Sequence, residues 1–176
     1  MKLSVNEYMK TGVAQEIQKN ISEDQYKDSV FYGLKTLSSK AKGTQAEKLF
    51  IEFMESQGHQ ATKPSNSDHD CIINGHKVEI KTSFYWKNTE KFTFQQIRPK
   101  QDYDFIVFIA IRPESCDFYI CDKETSGREL EVQDENGLWT YNQHGGKTVN
   151  SGTFWIRGID PKEVEWMKEL GDQLDA

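Results

Sequence analysis

Apolar and polar positions along the chain change their period several times, and each change marks a new element. Val5, Tyr8, Met9, Val13 and Ile17 recur at helical spacing, and Ser4 with Glu7 forms a capping box ahead of them, which predicts a helix over about 5–19. Ser22 and Gln25 repeat the capping pattern, and Tyr26, Val30, Leu34 and Leu37 predict a second helix to about residue 37. Two antiparallel helices, an N-terminal hairpin, follow from this, suited to packing or dimerisation ahead of a DNA-contacting arm. Residues 38–43 read as a connector. Thr44 and Glu47 make a third capping box, predicting a helix to residue 57 with Ala46, Leu49, Phe50, Phe53 and Met54 inward and Gly58 just past its end. Glu47 then sits beside the buried stripe, where capping competes with a site role.

From residue 68 the period is two. Asn74-Gly75 is the dipeptide that best suits a two-residue hairpin turn, because both central positions of a type I′ turn need positive φ. The register follows: Ile73 faces His76, Ile72 faces Lys77, Cys71 faces Val78, Asp70 faces Glu79 and Asp68 faces Lys81. Cys71, Ile73, Val78 and Ile80 then point to the core, while Asp68, Asp70, Glu79, Lys81 and Ser83 share the other face.

Beyond the hairpin, residues 91–94 predict a short strand and 95–101 a helical turn interrupted by Pro99. The near-continuous apolar run 104–111 has the signature of a central strand buried on both faces, with 117–121 as its antiparallel partner. A charged helix over 122–133, strands at 138–141 and 153–156, and a Gly-rich loop over 143–151 come next. Asp160-Pro161 opens a last helix to residue 170. The class is α/β in the broad sense (α+β), a mixed central sheet flanked by helices. The division expected is a helical arm, 1–42, and a core, 43–176.

Composition narrows the picture. A chain of 176 residues fits one domain, with enough apolar and aromatic side chains for a core. No apolar run approaches a membrane span and the N-terminus lacks a signal-peptide core, so a cytoplasmic protein is expected, with no membrane partner. Three cysteines without CxxC spacing are expected as thiols, and the four histidines show no zinc pattern. The net charge of −6 is unusual for a simple nucleic-acid binder, but its distribution is uneven. Residues 76–100 carry six Lys and Arg against two Glu, and residues 160–176 carry six acids against two Lys.

Asp70 and Glu79 directly opposite each other would destabilise a hairpin unless something binds between them. A hard divalent cation would do so, and Lys81 on the same face could hold a water or stabilise a developing anion. The residues thus point to a metal-dependent hydrolytic site; the competing reading is a solvated face with scattered charges.

The order of a helix carrying Gly43-Thr44-Gln45-Ala46-Glu47, then Asp70, then Val78-Glu79-Ile80-Lys81, then a buried strand resembles the PD-(D/E)XK nuclease superfamily, over about residues 43–121. The residue before Asp70 is His69 rather than Pro, and Asp68 competes with Asp70 for the first acid. The resemblance implies a restriction-endonuclease-like fold and Mg²⁺-dependent phosphodiester hydrolysis, with Mn²⁺ able to substitute. It implies that Asp70, Glu79 and the Ile80 carbonyl hold the metal, that Lys81 positions or deprotonates water, and that Glu47 assists. Lys77, Ser83, Lys87, Lys91, Gln96 and Arg98 surround the expected site as DNA contacts: the basic ones suit phosphates, and Gln95, Gln96 and Arg98 suit adenine or guanine edges. The expected function is an endonuclease on double-stranded DNA, a type II restriction enzyme acting as a homodimer. The alternatives are a nicking, repair or junction-resolving nuclease, a catalytically silent DNA-binding module on the same fold, and an unrelated interaction protein.

Overall fold

The structure is a computed structural model that describes residues 4–98, 100–135, 139–143 and 152–175. It is a mixed α+β fold built on one central strand. That strand, β5 (Phe105–Ile111), runs parallel to β3 (His76–Phe84) on one side and antiparallel to β6 (Cys116–Asp122) on the other. Beyond β3 lie β2 (Cys71–Ile73) and β1 (Ala61–Thr62), and beyond β6 lies β9 (Lys168–Glu169), giving the order β1-β2-β3-β5-β6-β9. A second, antiparallel sheet has the order β4-β8-β7, from β4 (Phe92–Ile97), β8 (Gly152–Ile159) and β7 (Trp139–Gln143).

Alternation along β3 and β5 feeds two cores. Val78, Ile80, Val107, Ile109 and Ile111 face the helix α3 (Ser39–Ser56), meeting its buried Ala46, Phe50 and Met54. Ile106, Phe108 and Ala110 face the second sheet, meeting Phe92, Phe94, Ile97 and Ile156, together with Leu130 of helix α4 (Lys123–Glu135). Each large apolar side chain fully buried this way contributes roughly 1.5–3 kcal/mol. The central strand covered on both faces and the helix after β6 match the sequence pattern. Among the described residues the cysteines Cys71, Cys116 and Cys121 are free. No helix among them is long and apolar enough to cross a membrane.

Several elements depart from the pattern. The first helix, α1 (Val5–Glu23), has the expected capping box, but its apolar row is exposed: Val5 81%, Tyr8 66%, Met9 53%, Val13 47% and Ile17 53%. A helical period identifies a helix without saying what covers it. The predicted second helix is only α2 (Tyr32–Thr36), because Asp24 accepts the Tyr26 amide at 2.8 Å and starts a run of turns instead. Those turns are fastened to the core: the buried Tyr26 hydroxyl donates to the Ile111 carbonyl at 2.8 Å and Gln25 Nε2 to the Tyr85 carbonyl at 2.6 Å. The expected boundary at residue 42 falls inside α3, which starts at Ser39 with Ser38 as its cap. Leu49 and Phe53, expected inward on α3, are 48% and 41% exposed.

Residues 95–97 are strand rather than helical turn, because β4 pairs with β8 as far as Ile97. The C-terminal helix is a single 3-10 turn (Pro161–Glu163), after which Lys168 pairs with Ile120 of β6. The Gly-rich stretch 144–151 lies outside the described residues. Tyr26→Phe removes one of the two donors to the Ile111 carbonyl, the Tyr85 amide keeping the other, and should cost about 0.5–1.5 kcal/mol in denaturant unfolding. Val13→Ala on α1 should fall within about 0.5 kcal/mol of wild type.

Candidate active site

Asn74 and Gly75 carry φ of 49° and 89°, the backbone that a two-residue hairpin needs. The register is Ile73 with His76, Ile72 with Lys77 and Cys71 with Val78, as the turn dictates. Pairing stops there. The Asp70 amide donates to the Val78 carbonyl at 2.9 Å, and Asp70 Oδ2 accepts the Ile80 amide at 2.7 Å. The expected cross-strand pairs Asp70 with Glu79 and Asp68 with Lys81 are therefore not formed. Asp70 has left the ladder, and its carboxylate takes the place of a strand carbonyl beside β3. His69 holds this departure: it is buried, and its Nδ1 donates to the Asp102 carbonyl at 2.9 Å. Of the two competing acids, Asp70 is the one whose charge reaches Glu47 and Glu79, whereas that of Asp68 reaches Lys77.

Glu79 is not on a solvated face. It is only 4% exposed, because the second sheet covers the side of β3 that period-two alternation leaves polar. Its Oε1 lies 2.5 Å from Lys81 Nζ, and both side chains are largely enclosed. Burial pushes the Glu79 carboxyl up to about 7; the Asp70 charge adds to this, while Lys81 and Arg98 pull the other way. Burial also raises the Glu47 carboxyl, again with Asp70 raising and Lys81 lowering it. Glu47, Asp70, Glu79 and Lys81 thus form one electrostatic neighbourhood, although among the described residues no three acidic, His or Cys groups converge into a ready-made metal cluster. Glu47 is no capping residue: with the helix start at Ser39 it stands in the interior of α3.

Glu47 and Lys81 open into a cleft of about 630 Å³ whose other walls include Lys40, Lys42, Gln95 and Gln96. The sequence gives no sign of Lys40 and Lys42, since it reads that stretch as a connector. A larger groove, about 1080 Å³, lies at the other end of α3 around Phe53, His59 and Phe118 and lacks the coupled acids and lysine.

The expected DNA contacts are dispersed. Gln96 lines the cleft, and Arg98 is exposed with its charge acting on Glu79. Ser83 lines the cleft but is buried, and its hydroxyl accepts the Thr93 amide at 3.0 Å, which ties β4 to β3. Lys77 pairs with Asp102 at 2.5 Å near the hairpin turn, away from the cleft. Lys91 pairs with Glu163 at 3.4 Å, and Lys87 is exposed beside Trp86. Gln96 also has a φ of 57°, a left-handed backbone that costs a non-glycine residue about 1–3 kcal/mol.

The oxygen donors Asp70, Glu79 and Glu47 have the hard chemistry that Mg²⁺ prefers. Two of them are carboxyls disfavoured in their charged form and next to a third negative charge, an arrangement that a cation relieves.

No protein-family model matches the chain, and no curated protein matches it. Among solved structures, a bacterial homing endonuclease matches at 23% identity over 50% of this chain and 67% of that one, with a TM-score of 0.40.

Asp70→Ala should cost about 1–3 kcal/mol, because the Ile80 amide loses its acceptor, whereas Asp70→Asn keeps an oxygen there and should cost less. Urea unfolding of the two variants checks this.

Proposed function

We propose that the chain is a metal-dependent endonuclease that hydrolyses phosphodiester bonds in duplex DNA. The observation that carries this reading is the enclosed Glu79–Lys81 pair, coupled to Asp70 and Glu47 at one cleft. These are the residues through which the sequence resembles the PD-(D/E)XK nucleases. A purely structural ion pair would not need two further acids beside it, with the Asp70 charge raising both the Glu47 and the Glu79 carboxyls.

Asp70, Glu79 and the Ile80 carbonyl would hold Mg²⁺, or Mn²⁺ in its place. Bound there, the ion would neutralise charge on the transferring phosphoryl group and make its bound water more acidic. Asp70 is oriented for this by the Ile80 amide. Lys81 donates to Glu79 in the resting state and is the cation placed to orient water or steady the developing anion. Glu47, whose carboxyl burial pushes upward, would be the acid at the cleft wall able to relay a proton. The bond formed joins a water oxygen to phosphorus, and the bond broken is the ester P–O. Lys40 and Lys42 at the start of α3 suit the DNA backbone.

The finer reading is a sequence-specific type II restriction enzyme. One site cuts one strand, so a double-strand break requires two, and we infer a homodimer on DNA. A silent binding module is the alternative for which the same residues would be idle.

Plasmid DNA with Mg²⁺ should be cut by the wild type, with Glu79→Ala and Lys81→Ala each slower by about 100-fold or more while still binding DNA. An intact plasmid under wild-type protein overturns the reading. Sedimentation on a short duplex should give the mass of two chains. Protons compete with the cation at Glu79, whose pKa lies near 7, so Mn²⁺ affinity should weaken as the pH falls from 8 to 6. Calorimetry should show protons released on binding, and Glu79→Gln should flatten the pH dependence.

A further inference from the structure

The β4–β8 pair carries chemistry that the hydrolytic reading leaves unused. Phe94 pairs with Ile156 and Ile97 with Phe154, so Gln95 and Gln96 together stand opposite Trp155. Two residues against one is a β-bulge, a device that re-aims side chains beside functional sites. Gln96 sits in that bulge with a φ of 57°. Glycine or asparagine would hold such a backbone with less strain, so the bulge itself gives no reason for a glutamine.

Alternation sorts the two faces of the β4–β8 pair. Phe94, Ile97 and Ile156 are buried inward. Thr93, Gln95, Trp155 and Arg157 therefore lie outward, with Gln95 and Arg157 exposed. Arg157 stands opposite Thr93, and its guanidinium carbon is 4.6 Å from the centroid of the Trp155 ring. A stacked guanidinium gives up less freedom when it binds than a free one. Thr93, Gln95 and Gln96 also line the cleft that holds Glu47 and Lys81, so the outer face runs into the candidate active site without a break.

We propose that this face reads base edges in the major groove of duplex DNA, with Gln95 and Gln96 directed at adenine and Arg157, held flat on Trp155, directed at guanine. β4 is the outer strand of the three-stranded β4-β8-β7 sheet, so Gln95 and Gln96 stand at the sheet's edge. A glutamine amide matches the donor and acceptor of adenine, and a guanidinium matches the two acceptors of guanine. The placement of the DNA backbone in the cleft rests on the nuclease reading; the recognition itself does not.

The test is a pair of selections from a randomised duplex pool using the full chain. One arm selects for binding with Ca²⁺ replacing Mg²⁺, and the other selects for cleavage with Mg²⁺ and sequences the ends. The wild type should enrich a motif containing adenine and guanine. Gln95→Ala and Gln96→Ala should each lower the preference at an A·T pair by roughly 10- to 100-fold, and Arg157→Ala should do so at a G·C pair. Gln96→Gly relieves the backbone while removing the amide, so it should lose the same preference yet melt no lower than wild type. No motif from the wild type, or an unchanged motif in all four variants, overturns the proposal. A motif in the binding arm with no cleavage in the other leaves recognition standing and removes the nuclease.

Discussion

Glu79 and Lys81 meet on a strand that both cores cover. Taking a carboxylate and an ammonium out of water is costly, and their attraction offsets the cost only when the geometry is close and the remaining polar groups are satisfied. The 2.5 Å contact supplies closeness, and burial, Lys81, Asp70 and Arg98 set how firmly the Glu79 proton is held. The surrounding architecture keeps this pair enclosed on most sides and open on one. The second sheet closes the face of β3 that carries it, α3 brings Glu47 to its edge, and the cleft leaves Lys81 accessible.

The departure of Asp70 from the ladder follows from the same arrangement. Had β2 continued, Asp70 and Glu79 would have been a like-charged pair in register, each costing the other stability. Instead the chain turns at Asp70, and its carboxylate accepts the Ile80 amide that a longer β2 would have used. Buried His69 anchors the turn, occupying the place where the resembled family carries a proline. The two acids thus come from one turn and one strand, with separate supports.

Local chemistry made parts of this legible in the sequence. Asn74-Gly75 fixes a hairpin with no help from the rest of the chain, and an unbroken apolar run such as Phe105–Ile111 admits few settings other than a central strand. The illegible parts depend on partners far away in sequence. Alternation puts Glu79 opposite Val78 in orientation, but whether that side meets water is decided by Phe92, Phe94 and Ile156 arriving over it. Gln95 and Gln96 look like a turn until β8, some sixty residues later, supplies their partner. Thr44 and Glu47 mimic a capping box although the helix begins at Ser39; the cap is Ser38, in a stretch whose Ser, Lys and Gly composition resembles a connector. The apolar row of α1 specifies a helix, but its period does not say what covers it, and Val5, Tyr8 and Val13 stand exposed.

The parallel pairing of β3 with β5 has a consequence for how the molecule comes together. Strands that run the same way cannot be joined by a tight turn; here the chain travels out through β4 and back before β5 can dock. Closing such a loop spends chain entropy before any pairing returns it. The β2–β3 hairpin and α3 need no such closure and are the segments able to form early. β8 contributes the outer wall only after most of the chain exists, so on an emerging polypeptide Glu47, Asp70 and Glu79 would be translated, and able to associate, well before the surface that covers them.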